Sequence, residues 1–388
     1  FFQPQDAIRD SVASRGLGDV YKRQELDMKT LLITNDWKPK RGGISTYLYN
    51  FVDNLPDEVF IYGPNWIEGE STFCSSSNFI LPRKKTIAEI TAIIQEKGID
   101  HILMGSSNPQ FLMIRFLTKL DIPISMIAHG AEFNVIRFIP GLRKIMSKSM
   151  DMLENIYTIS HFSFNKLEKV TTANLVHIGA GIPEGVSAGT RKFNQGERIV
   201  VGVSSRFVVR KRIEWVIEVC SNLVDEGYNL ELFIYGHGRL ESKLRKLSDL
   251  LSVKTSFFPL LEEADNINDF YENIDIFAMP SHSRFFGLEF EGLGLVYLEA
   301  ASYGIPVITG SSGGSPETII PGKTGFVADT KDHLHDAIEY FLLNPDSINE
   351  FGAEGKIFMT ENFSWKSVVE KYVSPLKTHQ NFISAEEE

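Results

Sequence analysis

The stretch from Met279 to Val327, MPSHSRFFGLEFEGLGLVYLEAASYGIPVITGSSGGSPETIIPGKTGFV, constrains the fold of this chain most tightly. A short apolar run, Ile274 to Met279, reads as a buried strand ending at Pro280. A polar, glycine-containing loop follows. Gly294–Leu295–Val296–Tyr297–Leu298–Glu299–Ala300–Ala301 then supplies good helix formers, and Gly304 and Pro306 mark where that helix stops. Val307–Ile308 restarts a strand, so the stretch is a β–loop–α–β unit of a parallel sheet.

The unit carries Glu291 just before the helix and Glu299 about one and a half turns inside it. A helix start with spare N–H groups between two carboxylates suits a ligand bearing both phosphates and hydroxyls. The amides of Gly292, Leu293 and Gly294 can hold anionic oxygens, and the carboxylates can accept from sugar hydroxyls. The competing reading makes Glu291 a first-turn charge favoured by the helix dipole and Glu299 an exposed helix residue. The surrounding glycines favour the ligand.

The rest of the chain repeats the same grammar. Strand-like runs occur at Leu31–Thr34, Val59–Tyr62, Ile102–Met104, Ile124–Ala128 and Ile156–Ile159, with helical stretches near 86–97, 109–119, 139–150 and 161–169. A second series follows the polar segment EGVSAGTRKFNQGE at 184–197, which reads as a linker: strands at Ile199–Ser204 and Leu230–Tyr235, helices over 211–225 and 239–250. This alternation predicts α/β architecture with doubly wound parallel sheets. At 388 residues the length favours two domains. The expected division is 28–185 and 186–363, with a C-terminal helix over Ser364–Tyr372 that packs back on the first domain. Residues 1–27 show no hydrophobic periodicity and no signal-peptide core, and are expected to be a foreign or disordered leader before Met28.

Ligands of doubly wound sheets bind beyond the carboxyl ends of the strands. Gly42–Gly43 sits there at a helix start, either admitting a phosphate to bare backbone or making a plain tight turn. His129 ends the Ile124–Ala128 strand and either touches a reacting sugar or satisfies the fold. Arg206 and Lys211 flank the turn after Ile199–Ser204, where two cations can neutralise a diphosphate or simply lie solvated. Gly236–His237–Gly238 lacks the third glycine of a dinucleotide fingerprint, because Glu241 stands in its place, so a nicotinamide enzyme is disfavoured.

Charge and composition remove other classes. A formal charge of −11 argues against a general nucleic-acid binder. Two cysteines, Cys74 and Cys220, give neither a disulfide framework nor a cysteine zinc site. With no Asp-x-Asp pair to hold a divalent ion between phosphates, neither a metal nor another cofactor is expected. No apolar run reaches membrane-spanning length, and a cytoplasmic location is expected. The segment VIRFIPGLRKIMSKSM at 135–150 interleaves Arg137, Arg143, Lys144 and Lys148 with apolar residues. It suits peripheral contact with an anionic membrane as well as it suits an ordinary docked helix.

Taken together and in order, Glu291-x7-Glu299, Arg206-x4-Lys211, Gly42–Gly43, Gly304–Ile305–Pro306–Val307 and Ser312–Gly313–Gly314 resemble the family 4 glycosyltransferases. The resemblance runs from about Met28 to Tyr372, and FGLEFEGLGLVYLEA is most similar to mannosyltransferases that use GDP-mannose on phosphatidylinositol mannosides. It implies the GT-B architecture, two facing Rossmann-like domains with a cleft between them, and retention of configuration at the transferred sugar. It also implies site roles. Arg206 and Lys211 hold the donor diphosphate, Glu299 the ribose hydroxyls, and Glu291 with the amides of Gly292 to Gly294 the donor sugar. Gly43 approaches the distal phosphate or sugar, His129 lies beside the anomeric centre, and the base sits near Phe258 to Leu260. The implied partners are a nucleotide-sugar donor, GDP-mannose first and a UDP-sugar of glucose or N-acetylglucosamine second, and a lipid or glycan acceptor. Rival readings are a sugar-nucleotide epimerase or hydrolase of the same architecture and a non-catalytic binding protein.

Overall fold

Strand β1 (Lys29–Ile33) is apolar from Leu31 onward, and Leu31, Leu32 and Ile33 are fully buried, as a strand covered on both faces must be. The structure, a computed structural model, describes residues 28–40, 42–106, 109–130, 140–182, 196–258 and 265–386. Residues 1–27, the expected leader, lie outside the described residues.

The first series runs β1, α1 (Gly43–Asp53), β2 (Glu58–Gly63), β3 (Thr72–Cys74), α2 (Lys84–Lys97), β4 (His101–Met104), α3 (Phe111–Leu117), β5 (Ile124–Ala128), α4 (Pro140–Met150), β6 (Asn155–Thr158), α5 (His161–Leu167) and β7 (Asn174–His177). Its sheet has the order β3-β2-β1-β4-β5-β6-β7, with parallel register such as Leu31 opposite both Phe60 and Ile102.

The second series runs β8 (Ile199–Ser204), α6 (Ile213–Asp225), β9 (Leu230–Tyr235), α7 (Glu241–Asp249), β10 (Lys254–Phe258), α8 (Asp265–Glu272), β11 (Ile276–Met279), α9 (Leu295–Ser302), β12 (Val307–Thr309), β13 (Gly325–Val327), α10 (Lys331–Leu343), α11 (Asp346–Asn362) and α12 (Trp365–Glu386). Its sheet has the order β10-β9-β8-β11-β12-β13, again with parallel pairs. The expected doubly wound α/β architecture is present in both sheets. Strand order reverses between β1 and β4 and between β8 and β11, and such switch points are where doubly wound sheets open a crevice for ligand.

Several elements have no counterpart in the sequence reading. β3 and β7 are largely half-exposed and β13 is three residues long, so none presents an apolar run. Helix α10 did carry a signal. Thr330 caps it through the His333 N–H at 3.1 Å, and Leu334, Ala337, Ile338 and Phe341 recur at helical spacing. The C-terminal helix runs well past Tyr372 and through Pro375.

By compactness the chain divides into Phe1–Met126 with Met152–Asn155 and Tyr372–Glu388, and Ile127–Asp151 with Ile156–Lys371. In the first unit, Tyr372 packs edge-on against Phe51 at 5.0 Å. Its hydroxyl also meets His101 Nδ1 at 3.4 Å. The same imidazole contacts Ser125 Oγ through Nε2 at 2.9 Å. Burial pushes His101 down to about 3, so the ring is neutral in the fold and protonates near 6.5 only when unfolded. Its contribution to stability is therefore complete above about pH 6.5 and is lost as pH falls from there toward 3, at about 1.4 kcal/mol per unit. Urea melts at pH 7 and pH 5 are expected to show this slope, and His101→Asn to flatten it. An equal slope in the variant would assign the acid sensitivity to other groups.

Candidate active site

The loops that leave β8 and β11 meet at the second sheet's switch point. The His282 N–H donates to the Arg210 carbonyl at 2.8 Å, tying one loop to the other. A short 3-10 turn, Val209–Lys211, brings two consecutive cations onto one carboxylate. Lys211 Nζ donates to Glu291 Oε2 at 2.7 Å, and Arg210 Nη1 donates to the same oxygen. Side-chain exposure is 7% for Lys211, 12% for Glu291 and 13% for Arg210, so this cluster is screened little by water.

The charges follow from that enclosure. Burial alone would raise the Glu291 pKa, but Lys211 and Arg210 overcome it and bring the carboxyl down to about 2. Burial also lowers Lys211, with Glu291 opposing and Arg210 and Arg206 adding to the fall, leaving it at about 8. For Arg210, burial is outweighed by Glu291 and Glu289, and its pKa is raised. At neutral pH Glu291 is an anion between two cations.

Glu291 is also fixed through its backbone. Its N–H donates to Ser312 Oγ at 3.0 Å, and its carbonyl accepts from the Gly314 N–H at 3.1 Å. A Cβ on Gly313 would stand 1.8 Å from the Glu291 carbonyl oxygen, so only glycine allows this approach. Glu317 anchors the same loop, accepting from the His161 and Phe162 N–H groups at the start of α5, both at 2.8 Å. The N–H groups of Gly292, Leu293 and Gly294 meet no acceptor among the described residues. They stand at the start of α9 as spare donors beside Glu291.

Glu299 lies half-buried in α9, and its Oε2 accepts from the Tyr271 hydroxyl at 2.8 Å. Burial raises its pKa and Tyr271 opposes that rise. His129 is 5% exposed, and a Cβ on Gly292 would come within 2.0 Å of its carbonyl oxygen, so these two backbones touch. Arg206 is exposed and forms no ion pair among the described residues. Phe258 closes β10, half-buried, with its carbonyl accepting from the Gly236 N–H at 3.0 Å. Leu260 lies outside the described residues. Gly42 and Gly43 belong to the first unit, Gly43 opening α1, and nothing among the described residues lies within 4 Å of a Cβ built on either.

The structure thus brings Lys211, Glu291, Gly292 to Gly294 and His129 together. It adds Arg210, Glu317 and, beside Glu299, Tyr271, which sequence reasoning passed over, and it gives Ser312 of the Ser312–Gly313–Gly314 motif its contact with the Glu291 N–H. Arg210 carried a visible signal as the neighbour of Lys211. Glu317 and Tyr271 gave none, because their partners lie far away in the chain. The glycines of Gly236–His237–Gly238 have a packing reason too: a Cβ on Gly236 would stand 2.1 Å from the Ser205 carbonyl oxygen.

A buried cation pair, a carboxylate between them and helix-start amides at an α/β switch point have the chemistry to hold a phosphorylated, hydroxyl-rich ligand. Comparison with known proteins agrees on the class. Residues 190–358 match the family described as Glycosyl transferases group 1. The chain is 30% identical over 376 residues to a GDP-mannose-dependent monoacylated alpha-(1-6)-phosphatidylinositol monomannoside mannosyltransferase of Corynebacterium glutamicum, covering 90% of this chain and 98% of that protein. It is 29% identical over 364 residues to a GDP-mannose-dependent alpha-(1-6)-phosphatidylinositol monomannoside mannosyltransferase of Mycolicibacterium smegmatis, covering 87% and 95%. Among solved structures, sucrose-phosphate synthase from Thermosynechococcus elongatus superposes with a TM-score of 0.73 at 17% identity, over 92% of this chain and 100% of that one. Anabaena HepE in complex with UDP and glucose superposes with a TM-score of 0.70 at 15% identity, over 90% and 99%. The fold is GT-B. The chain belongs to the group 1 glycosyltransferases, and the two full-length relatives named above are mannosyltransferases.

Proposed function

We propose that this chain transfers mannose from GDP-mannose to a lipid or glycan acceptor with retention of configuration and without a metal ion. The observation that carries the reading is the convergence of Lys211 and Arg210 on Glu291 beside the unpaired amides of Gly292 to Gly294. The names of the full-length relatives support the donor and the acceptor class.

The chemistry follows from where charge moves. As the bond from the anomeric carbon to the diphosphate oxygen breaks, positive charge grows on the sugar ring and negative charge on the diphosphate. Lys211, Arg206, Arg210 and the helix-start amides stabilise that negative charge from fixed positions. Glu291 positions the sugar hydroxyls, Glu299 takes the ribose hydroxyls, Gly43 admits the distal phosphate or sugar, and His129 borders the anomeric carbon. The acceptor hydroxyl attacks from the side the diphosphate leaves. Its oxygen bonds to the anomeric carbon, and its proton passes to a phosphate oxygen of the departing GDP. No covalent role is assigned to Glu291.

Titration calorimetry with GDP and UDP, each with and without EDTA, tests the donor. Tighter GDP binding that survives the chelator is the expected result. Preference for UDP moves the donor to a UDP-sugar, and binding of neither nucleotide overturns the reading. Proton NMR of the product then reports whether the anomeric configuration is kept.

We also propose that α4 rests on an anionic membrane. Arg143, Lys144 and Lys148 are exposed and form no ion pair among the described residues. Ile145 and Met152 are 42% and 45% exposed beside them. Residues 135–139 of the segment lie outside the described residues, and no helix among the described residues is long and apolar enough to cross a membrane. Each lysine near an anionic surface contributes about 1 kcal/mol. Lys144→Glu with Lys148→Glu is therefore expected to lower sedimentation with phosphatidylglycerol vesicles on the order of tenfold or more. Equal sedimentation of the wild type with neutral and anionic vesicles would defeat the idea.

A further inference from the structure

Tyr271 contacts Glu299 yet has no place in the scheme above. Its ring is 3% exposed, stacked on Tyr303 at 5.1 Å and 27°, and edge-on to Phe270 at 5.3 Å. Its hydroxyl donates to Glu299 Oε2 at 2.8 Å. The donor therefore comes from a buried ring packed against two aromatic neighbours. Glu299 Oε1 has no hydrogen bond among the described residues. One carboxylate oxygen is held and the other is left to accept.

We propose that Tyr271 is a positioning residue: it clamps one oxygen of Glu299 so that the other receives the vicinal hydroxyls of the donor ribose. This rests on the reading of Glu299 as the ribose ligand. A half-buried carboxylate stays ionised only if donors compensate for lost water, and here the phenol is the donor the protein supplies. Burial raises the Glu299 pKa and Tyr271 opposes it. Without the phenol the carboxyl loses both its orientation and part of what keeps it charged, and a neutral or misdirected carboxyl is a poor acceptor for two hydroxyls.

The test compares GDP with 2′,3′-dideoxy-GDP, and UDP with its dideoxy form in parallel, on the full-length chain. A hydrogen bond to a charged group is worth about 1.5–3 kcal/mol, so the wild type is expected to prefer the ribose form on the order of 10- to 100-fold. Tyr271→Phe removes only the hydroxyl and is expected to cut that preference to about threefold or less, leaving the dideoxy nucleotide bound as before. Glu299→Gln, and the double variant, are measured the same way. If Tyr271 acts through Glu299, adding Tyr271→Phe to Glu299→Gln changes nothing further. Thermal melts confirm that each variant is folded. A wild-type preference that survives Tyr271→Phe overturns the proposal, and so do losses that add in the double variant. A wild type that binds ribose and dideoxy forms equally overturns the ribose assignment of Glu299 itself.

Discussion

Lys211→Ala is expected to lower the turnover number for sugar transfer at least 100-fold, with a much smaller change in KM for the donor. The ammonium is fixed before any charge develops, held at 2.7 Å from Glu291 and almost fully enclosed. Removal of one such preorganised donor from an enclosed site typically costs about 10²–10³ in rate. Arg206→Ala is expected to cost less, about tenfold, because Arg206 is exposed and its charge is screened. Radiolabelled or mass-resolved transfer of mannose to a lipid extract reports both values. Lys211→Ala turning over at the wild-type rate would remove the diphosphate from this part of the sheet.

Glu291→Gln is expected to destabilise the chain by about 3–5 kcal/mol, the cost of leaving buried charges without their counter-ion. Gln preserves the shape of the side chain, so the loss reports charge rather than a cavity. Two cations share the one carboxylate oxygen; Lys211 loses its counter-ion outright, and Arg210 keeps only the longer contact to Glu289 at 3.8 Å. Added pyrophosphate is expected to recover part of the melting temperature, because an anion can replace the missing carboxylate. A melting temperature within a degree of wild type would show that the cations find water or other partners. Acid acts on the same pair. The native carboxyl stays ionised to about 2, while the unfolded one titrates near 4.5. The stability from this pair is thus complete above about 4.5 and is lost as pH falls from there to about 2.

The architecture was legible because period and punctuation agree in this chain. Buried strands such as Ile199–Ser204 read as unbroken apolar runs, and Gly304 with Pro306 ended a helix where the structure ends α9. What escaped was short or half-exposed, as in β3 and β7, where the core exerts too little pressure to leave a pattern. At the site, the glutamates and Lys211 could be singled out from residue type and place in the β–loop–α unit. Their pairing could not, since Lys211 and Glu291 stand 80 positions apart and only the order β8-β11 makes them neighbours. Arg210 was overlooked for a local reason. Two cations five positions apart suggest a clamp, whereas a tight 3-10 turn makes the adjacent Arg210–Lys211 pair the one that meets the carboxylate.

The contact between Gly313 and the Glu291 carbonyl has neighbours of the same kind. Built Cβ atoms on Gly310, Gly292 and Gly314 would fall 2.0, 2.0 and 2.3 Å from the carbonyl oxygens of Ser281, His129 and Gly292. Main chain here lies on main chain with no side-chain cushion, so a single methyl group anywhere along the seam has nowhere to go. Such a seam cannot be tuned by degrees; it is kept whole or lost. A chain built this way has an inflexible socket, and any adaptation to a new sugar, base or acceptor has to be written in the side chains around its rim.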